Sequence, residues 1–278
     1  MELAFALLIG LLIGSFLNVC IARMPRDESV VTPRSHCPKC KNLIAAYDNI
    51  PVISWILLGR RGRHCRKPIS ARYPAIEALS GIVSLLLAVK FGLGLAWFVY
   101  FVFCASLIVL AFIDADHRIL PDPITLNGIW IGLGLSVFMP QPSSLVSRLL
   151  VYAGMTDPSL RLVSFAGAVL GMIAGGGLLW FVGEAYLRLR GVEGMGFGDV
   201  KMMAMVGAFL GAPLALFTIM VGSLIGSIVG LLLMRFGGKS RDYELPFGTF
   251  LSFAGIVAVL YGQELVQLYV DRLIRPNL

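Results

Sequence analysis

Charge is scarce in this sequence. Only 14% of its 278 residues are Asp, Glu, Lys or Arg, against about a quarter in an ordinary soluble domain. With 58% hydrophobic residues and a mean hydropathy of +0.84, too few polar groups remain to clothe a water-soluble globule, and the chain reads as a polytopic membrane protein. No Gly-x-x-x-x-Gly-Lys-Ser/Thr stretch is present for nucleotide phosphates, and Gly92-Leu-Gly94 lacks the strand-turn-helix context of a dinucleotide fingerprint. The net charge of +7 does not imply nucleic acid as a partner, because the basic residues are grouped in loops without interleaved aromatics on which bases would stack. They set membrane orientation instead. The first apolar run, Leu3 to Ile21, has Glu2 in place of a basic flank and no small-residue cleavage site, so it reads as a transmembrane helix and not as a secretion signal.

What is present sorts into apolar segments near the twenty residues that a bilayer requires. After the first helix, these run over 74–90, 95–114, 122–139, 162–182, 199–212, 214–235 and 247–266. The expected fold is an all-α integral membrane bundle of about eight transmembrane helices with a small cytoplasmic loop domain after helix 1. Its divisions are 1–22 (the first helix), 23–73 (the loop) and 74–278 (the remaining membrane domain). The loop carries eleven Lys/Arg against three Asp/Glu, an excess that places it in the cytoplasm and the N-terminus outside. Alternation then puts 115–121, 183–198 and 236–246 inside, with Arg118, Arg188, Arg190, Lys239 and Arg241. Small residues recur at four-residue spacing (Gly10/Gly14, Gly167/Gly171/Gly175, Gly222/Gly226/Gly230), a pattern that lets helices pack closely in lipid.

The five cysteines divide by environment. Cys20 and Cys104 lie in apolar helices as packing residues. Cys37, Cys40 and Cys65 lie in the polar loop, where a cytosolic location disfavours disulfides and leaves a metal or free thiols. Cys37-Pro-Lys-Cys40 has zinc-knuckle spacing, but tetrahedral zinc takes four ligands. Only Cys65 follows, leaving His64 or His36 as candidates for the fourth. The alternative is a small basic loop with free thiols.

Two acidic places stand out. Asp199 follows alternating glycines in Gly194-Met-Gly196-Phe-Gly198-Asp199-Val-Lys201, and a carboxylate at a membrane boundary is costly enough to suggest ion passage, proton transfer or catalysis. The third apolar segment ends in Ala111-Phe-Ile-Asp114-Ala-Asp116-His-Arg-Ile-Leu-Pro121-Asp122. Two crossings separate these clusters, so both return to the cytoplasmic side. Two aspartates meeting there would share a proton, one accepting from water while the other donates to a peptide carbonyl. Asp114 directly continues the apolar helix and is the expected partner. Asp122, after Pro121, suits the start of the next helix as a cap; Asp116, His117 and Arg118 read as a solvated turn. Lys201 either orients and tunes Asp199 or snorkels to the interface, and the glycines at 194, 196 and 198 offer room for an extended peptide strand.

With these residues in place the chain resembles the type IV prepilin peptidases, membrane aspartic proteases with a Gly-x-Gly-Asp motif. The likeness runs through Gly14-Ser-Phe-Leu-Asn-Val19, Arg23-Met-Pro25, Cys37-Pro-Lys-Cys40, Tyr47-Asp-Asn-Ile-Pro-Val-Ile-Ser-Trp55 and Pro68-Ile-Ser-Ala-Arg-Tyr-Pro74 with Glu77. It continues through Asp114 to Leu120-Pro-Asp122, Gly196-Phe-Gly-Asp199-Val-Lys201 and Pro246-Phe-Gly248. The resemblance implies Asp114 and Asp199 as the catalytic pair, supported by Gly196, Gly198, Lys201 and Asp122. It implies the leader of a type IV prepilin or pseudopilin as substrate, cut at the cytoplasmic face of the inner membrane, and S-adenosylmethionine as donor for N-methylation of the new terminus. One departure is plain: the family's second Cys-x-x-Cys is here Gly62-Arg-His64-Cys65. A four-cysteine zinc site is therefore excluded, and a peptidase without methyl transfer is the nearest alternative. The rivals from other classes are a proton or ion transporter using the paired acids and an assembly factor working through its basic loop. Acids clustered at helix ends on one face, and the lack of an inverted repeat, disfavour the transporter.

Overall fold

The structure is a computed structural model that describes residues 1–37, 39–140, 144–155, 157–192, 194–236 and 245–269. The connection bearing Lys239 and Arg241 lies outside the described residues. The chain divides into two compact units, Met1–Ile113 and Asp114–Leu278.

In the first unit, α1 (Glu2–Arg23) packs along α3 (Arg72–Phe91). Two glycines set how close they come: a Cβ on Gly10 would stand 2.6 Å from Ser84 Cβ, and one on Gly14 2.6 Å from Glu77 Cα. At that approach interhelical hydrogen bonds become possible, and in lipid these hold helices where hydrophobicity cannot. Ser84 Oγ donates to Ala6 O at 2.7 Å, while Trp97 Nε1 donates to Ser84 O at 3.0 Å from α4 (Leu95–His117). Between α1 and α3 the polar loop folds on itself around the short α2 (Ile53–Leu57). Trp55 Nε1 donates to Ile69 O at 3.1 Å, Glu77 accepts the Val52 amide at 2.8 Å, and the buried Arg23 guanidinium donates to Ser29 O and Pro33 O.

The second unit is built around α9 (Phe197–Phe236), which packs against α5 (Asp122–Phe138), α7 (Leu160–Met172) and α10 (Phe247–Tyr269). Gly171 and Gly207 meet face to face, a Cβ on either running into the other's backbone carbonyl. A Cβ on Gly222 would stand 2.8 Å from Leu251 Cδ2. The glycine pattern thus marks helix contacts, as read. Met202, Met203, Met205 and Val206 fill the resulting core, each at most 1% exposed.

Six described helices are long and apolar enough to cross a membrane. At 17 residues, α5 is shorter than these, whereas α9, at 40, is about 60 Å long, twice a hydrocarbon core of about 30 Å. Gly211 breaks it (φ 77°, ψ 172°), with Pro213 following. The expected figure of about eight counts α5 and both halves of α9 separately. Two expectations shift. The fifth apolar segment runs on to Arg190 through α7, a π-helical turn at Ile173–Gly177 and α8 (Leu178–Arg190), ending at left-handed Gly191, so much of the expected 183–198 connection is helix. The 140–161 connection contains α6 (Ser144–Tyr152), whose Val146 is buried.

Candidate active site

Asp114 lies in the last turn of α4, where Arg118 turns left-handed (φ 56°) and returns its amide to the Asp114 carbonyl at 2.8 Å, closing the helix. Its side chain accepts two hydrogen bonds on one oxygen: the Thr249 amide reaches Oδ2 at 2.7 Å and the Thr249 hydroxyl at 3.0 Å. Asp199 opens α9, with its amide on Gly196 O at 3.1 Å. Both carboxyl groups are buried, Asp114 at 5% exposed and Asp199 at 8%. Asp199 Oδ1 has no hydrogen-bond partner among the described residues.

Gly248 joins the two. A Cβ there would lie 3.0 Å from Asp199 Oδ1 and 3.1 Å from Asp114 Cγ, so those atoms are within about 6 Å of each other. Two negative charges at that range repel by roughly 3 kcal/mol at an effective dielectric of 20, a cost removed when the pair holds one proton. The missing side chain leaves a gap between the carboxyls.

The surrounding residues fall differently from expectation. Lys201 Nζ pairs with Asp122 Oδ1 at 2.7 Å, over the Phe197 ring. Asp122 is the first residue of α5, after the N-cap Pro121, so its carboxylate lies in the helix's first turn as expected, and it also accepts from Lys201 there. Asp116, His117 and Arg118 are exposed, as a solvated turn requires. Of the three glycines read as room for a peptide, a Cβ on Gly194 would stand 2.5 Å from the Tyr186 ring and one on Gly198 3.1 Å from Leu120. Only Gly196 opens toward the carboxyls, a Cβ there standing 3.8 Å from Asp199 Oδ2. Gly248 entered the sequence reading only within a motif, and Thr249 not at all. A glycine at the start of an apolar segment, where other groups can approach the backbone closely, was the signal for that place.

The cysteine loop is built from two like turns. Cys37 N donates to Asn42 O and Lys41 N to Cys37 O; Gly62 N donates to Lys67 O and Arg66 N to Gly62 O. Lys41 and Arg66 are both left-handed (φ 61° and 53°), so Gly62 occupies in the second turn the place Cys37 holds in the first. The thiols of Cys37, Cys40 and Cys65 all lie within 4.8 Å of one another, Cys37 and Cys65 at 3.8 Å. That separation matches the edge of a tetrahedral zinc–thiolate site, about 3.8 Å for Zn–S bonds of about 2.3 Å. Neither His64 nor His36 belongs to this group. Burial opposes the Cys37 thiolate, yet backbone hydrogen bonds at Cys40 and Lys39 and the Cys40 and Cys65 thiols outweigh it and bring the thiol down to about 7. Three donors therefore fit zinc, and Gly62 leaves the fourth position open. Arg63 braces the second turn through a two-pronged contact with Asp48, whose carboxyl it holds below the usual range.

The profile of the Bacterial Peptidase A24 N-terminal domain matches residues 8–91, and that of the Type IV leader peptidase family matches residues 101–231. Curated proteins named prepilin leader peptidase/N-methyltransferase are similar over nearly the whole length. One from Burkholderia pseudomallei (strain 1026b) is 35% identical over 94% of this chain and 86% of its own. One from Stutzerimonas stutzeri is 33% identical over 96% and 93%, and one from Pseudomonas aeruginosa 31% identical over 97% and 94%. No solved structure matches the chain.

Proposed function

This chain belongs to the type IV leader peptidase family, and from that premise we propose that it removes the leader of type IV prepilins or pseudopilins by aspartic proteolysis, with Asp114 and Asp199 as the catalytic pair. The observation that carries the residue assignment is the convergence of two buried carboxyls from separate helices on Gly248. Water held in the gap gives a proton to the ionised carboxylate while its oxygen attacks the scissile carbonyl carbon. The protonated partner donates to the carbonyl oxygen. The tetrahedral adduct then collapses as the amide nitrogen takes a proton from the pair and leaves as an amine.

The same enzyme methylates the new N-terminal amine, with S-adenosylmethionine supplying the methyl group when bound. Zinc, where present, is held by Cys37, Cys40 and Cys65. The basic loop 23–73 and the pair face the cytoplasm, and 74–278 is the peptidase domain. This orientation rests on the excess of Lys and Arg in the loop. A prepilin's apolar segment can stay in lipid while its leader reaches the pair.

The test is cleavage of a prepilin by purified enzyme in lipid, with the product sized and N-terminally sequenced. Asp114→Asn and Asp199→Asn should each lower cleavage by about a thousandfold or more. Retained cleavage by either variant, folded and at normal abundance, would sink the pair.

A further inference from the structure

We infer that Thr249 is a positioning residue for the leader peptidase reaction, holding Asp114 as the charged member of the pair while Asp199 carries the proton. The inference rests on Asp114 and Asp199 being the working pair. Its ground is an asymmetry in their partners. Asp114 Oδ2 receives both the amide and the hydroxyl of Thr249, at 2.7 and 3.0 Å. Hydrogen bonds to an ionised acceptor are stronger than neutral ones. The amide comes from the first turn of α10, where backbone N–H groups lack helical partners and the helix dipole favours an anion. Arg118, one turn beyond Asp114, adds a positive charge that attracts it.

Asp199 has the opposite surroundings. Buried to the same degree, it offers Oδ1 to no donor among the described residues. A carboxylate oxygen without a donor is the expensive state of a buried polar atom, and a proton on that carboxyl turns an unmet acceptor into a donor. Its charged neighbour across the gap is Asp114, while the nearby cation Lys201 is bound to Asp122. The roles then divide. Asp114, with Oδ2 committed to Thr249, takes the proton of the attacking water on Oδ1, and Asp199 donates its proton to the scissile carbonyl oxygen. Gly248 makes this possible, since a side chain there would separate the start of α10 from both carboxyls.

The experiment measures kcat and KM for prepilin cleavage by the full chain in lipid nanodiscs. The variants are Thr249→Val, which keeps shape and amide but loses the hydroxyl, Thr249→Ser, which keeps the hydroxyl, and Thr249→Ala. Thermal unfolding midpoints report folding. The expected result is a fall in kcat on the order of ten- to a hundredfold for Val, with KM within about twofold and Ser within about threefold of wild type. Should Val not fold, Ala against Ser makes the same comparison. Val at wild-type kcat, Val and Ser equally impaired, or a loss lying in KM overturns the inference. Asp114→Asn and Asp199→Asn run beside them: if these abolish cleavage while the Thr249 variants do nothing, only this inference fails, whereas cleavage by either Asn variant removes the pair and this role with it.

Discussion

Asp114, Asp199 and Thr249 are remote in sequence and meet only where α4 ends and α9 and α10 begin. Cys37, Cys40 and Cys65 are brought together by two short turns, each closed by its own backbone hydrogen bonds. The first site depends on helix packing at every member, so a change at one position is felt at the others. The second is modular: losing a ligand leaves the turn standing, as Gly62 shows by keeping the hydrogen bonds of its cysteine-bearing counterpart. A site assembled at long range should thus fail steeply, and one assembled locally should degrade and recover in steps.

The steep side is broken most directly at Gly248. An alanine Cβ would stand about 3 Å from Asp199 Oδ1, Leu120 Cδ1 and Asp114 Cγ, and Asp114 is tied to the adjacent Thr249, so the carboxyls must move apart. Displacements of this kind in a catalytic group are severe, about a hundredfold for 1 Å. Gly248→Ala is expected to lower kcat for leader cleavage about tenfold and Gly248→Val about a hundredfold. Gly196→Ala, in ordinary contact with Asp199 Oδ2 at 3.8 Å, should preserve kcat and the unfolding midpoint and show its effect in KM, because that glycine is the one open toward substrate. Equal kcat losses at 196 and 248 would break the claim that Gly248 sets the gap.

Much of this was legible before any coordinates. The low charge content and the apolar segments returned the acids near 114 and Asp199 to one face, Asp114 stood out because it continues an apolar helix, and the family resemblance named the pair. Thr249 was not legible, because its amide matters by where a helix starts in space and its neighbours in sequence carry no ionisable group. The Lys201–Asp122 pair escaped for a similar reason: each residue had a sound local reading, snorkelling for one and capping for the other, and only packing of α5 against α9 brings them together. The cysteine turns show the converse. Local spacing picked out Cys37, Cys40 and Cys65 as candidate ligands with His64 or His36 as a possible fourth, whereas Gly62 stood out only beside the family's second Cys-x-x-Cys.

The stepwise side is sharpened by restoring that ligand. A Cβ on Gly62 would stand 3.2 Å from Cys65 Sγ, which is tight but meets the end of a side chain and not backbone. Gly62→Cys should complete a four-sulfur tetrahedron and tighten zinc by about tenfold or more, one ligand's share of the roughly 10–16 kcal/mol such sites gain on binding, read by competition with a chromophoric chelator. It should leave leader cleavage unchanged. Unaltered zinc affinity would mean that the two turns do not share an ion, and lost cleavage would join two sites that are otherwise built independently.

The smallest effect is expected at Lys201, and its size decides how far the aspartate site extends. The ammonium and the Asp122 carboxylate are 2.7 Å apart with side chains 23% and 53% exposed, and such pairs contribute at most about 1 kcal/mol. Lys201→Met keeps the stem over Phe197, and Asp122→Asn removes the partner charge. Each should lower cleavage by no more than about threefold, and the double variant should match the singles, because either change already breaks the one contact. A Lys201→Met loss of tenfold or more that Asp122→Asn does not share would show the ammonium acting on Asp199 directly. The pair would then belong to the steep, long-range site and not to its rim.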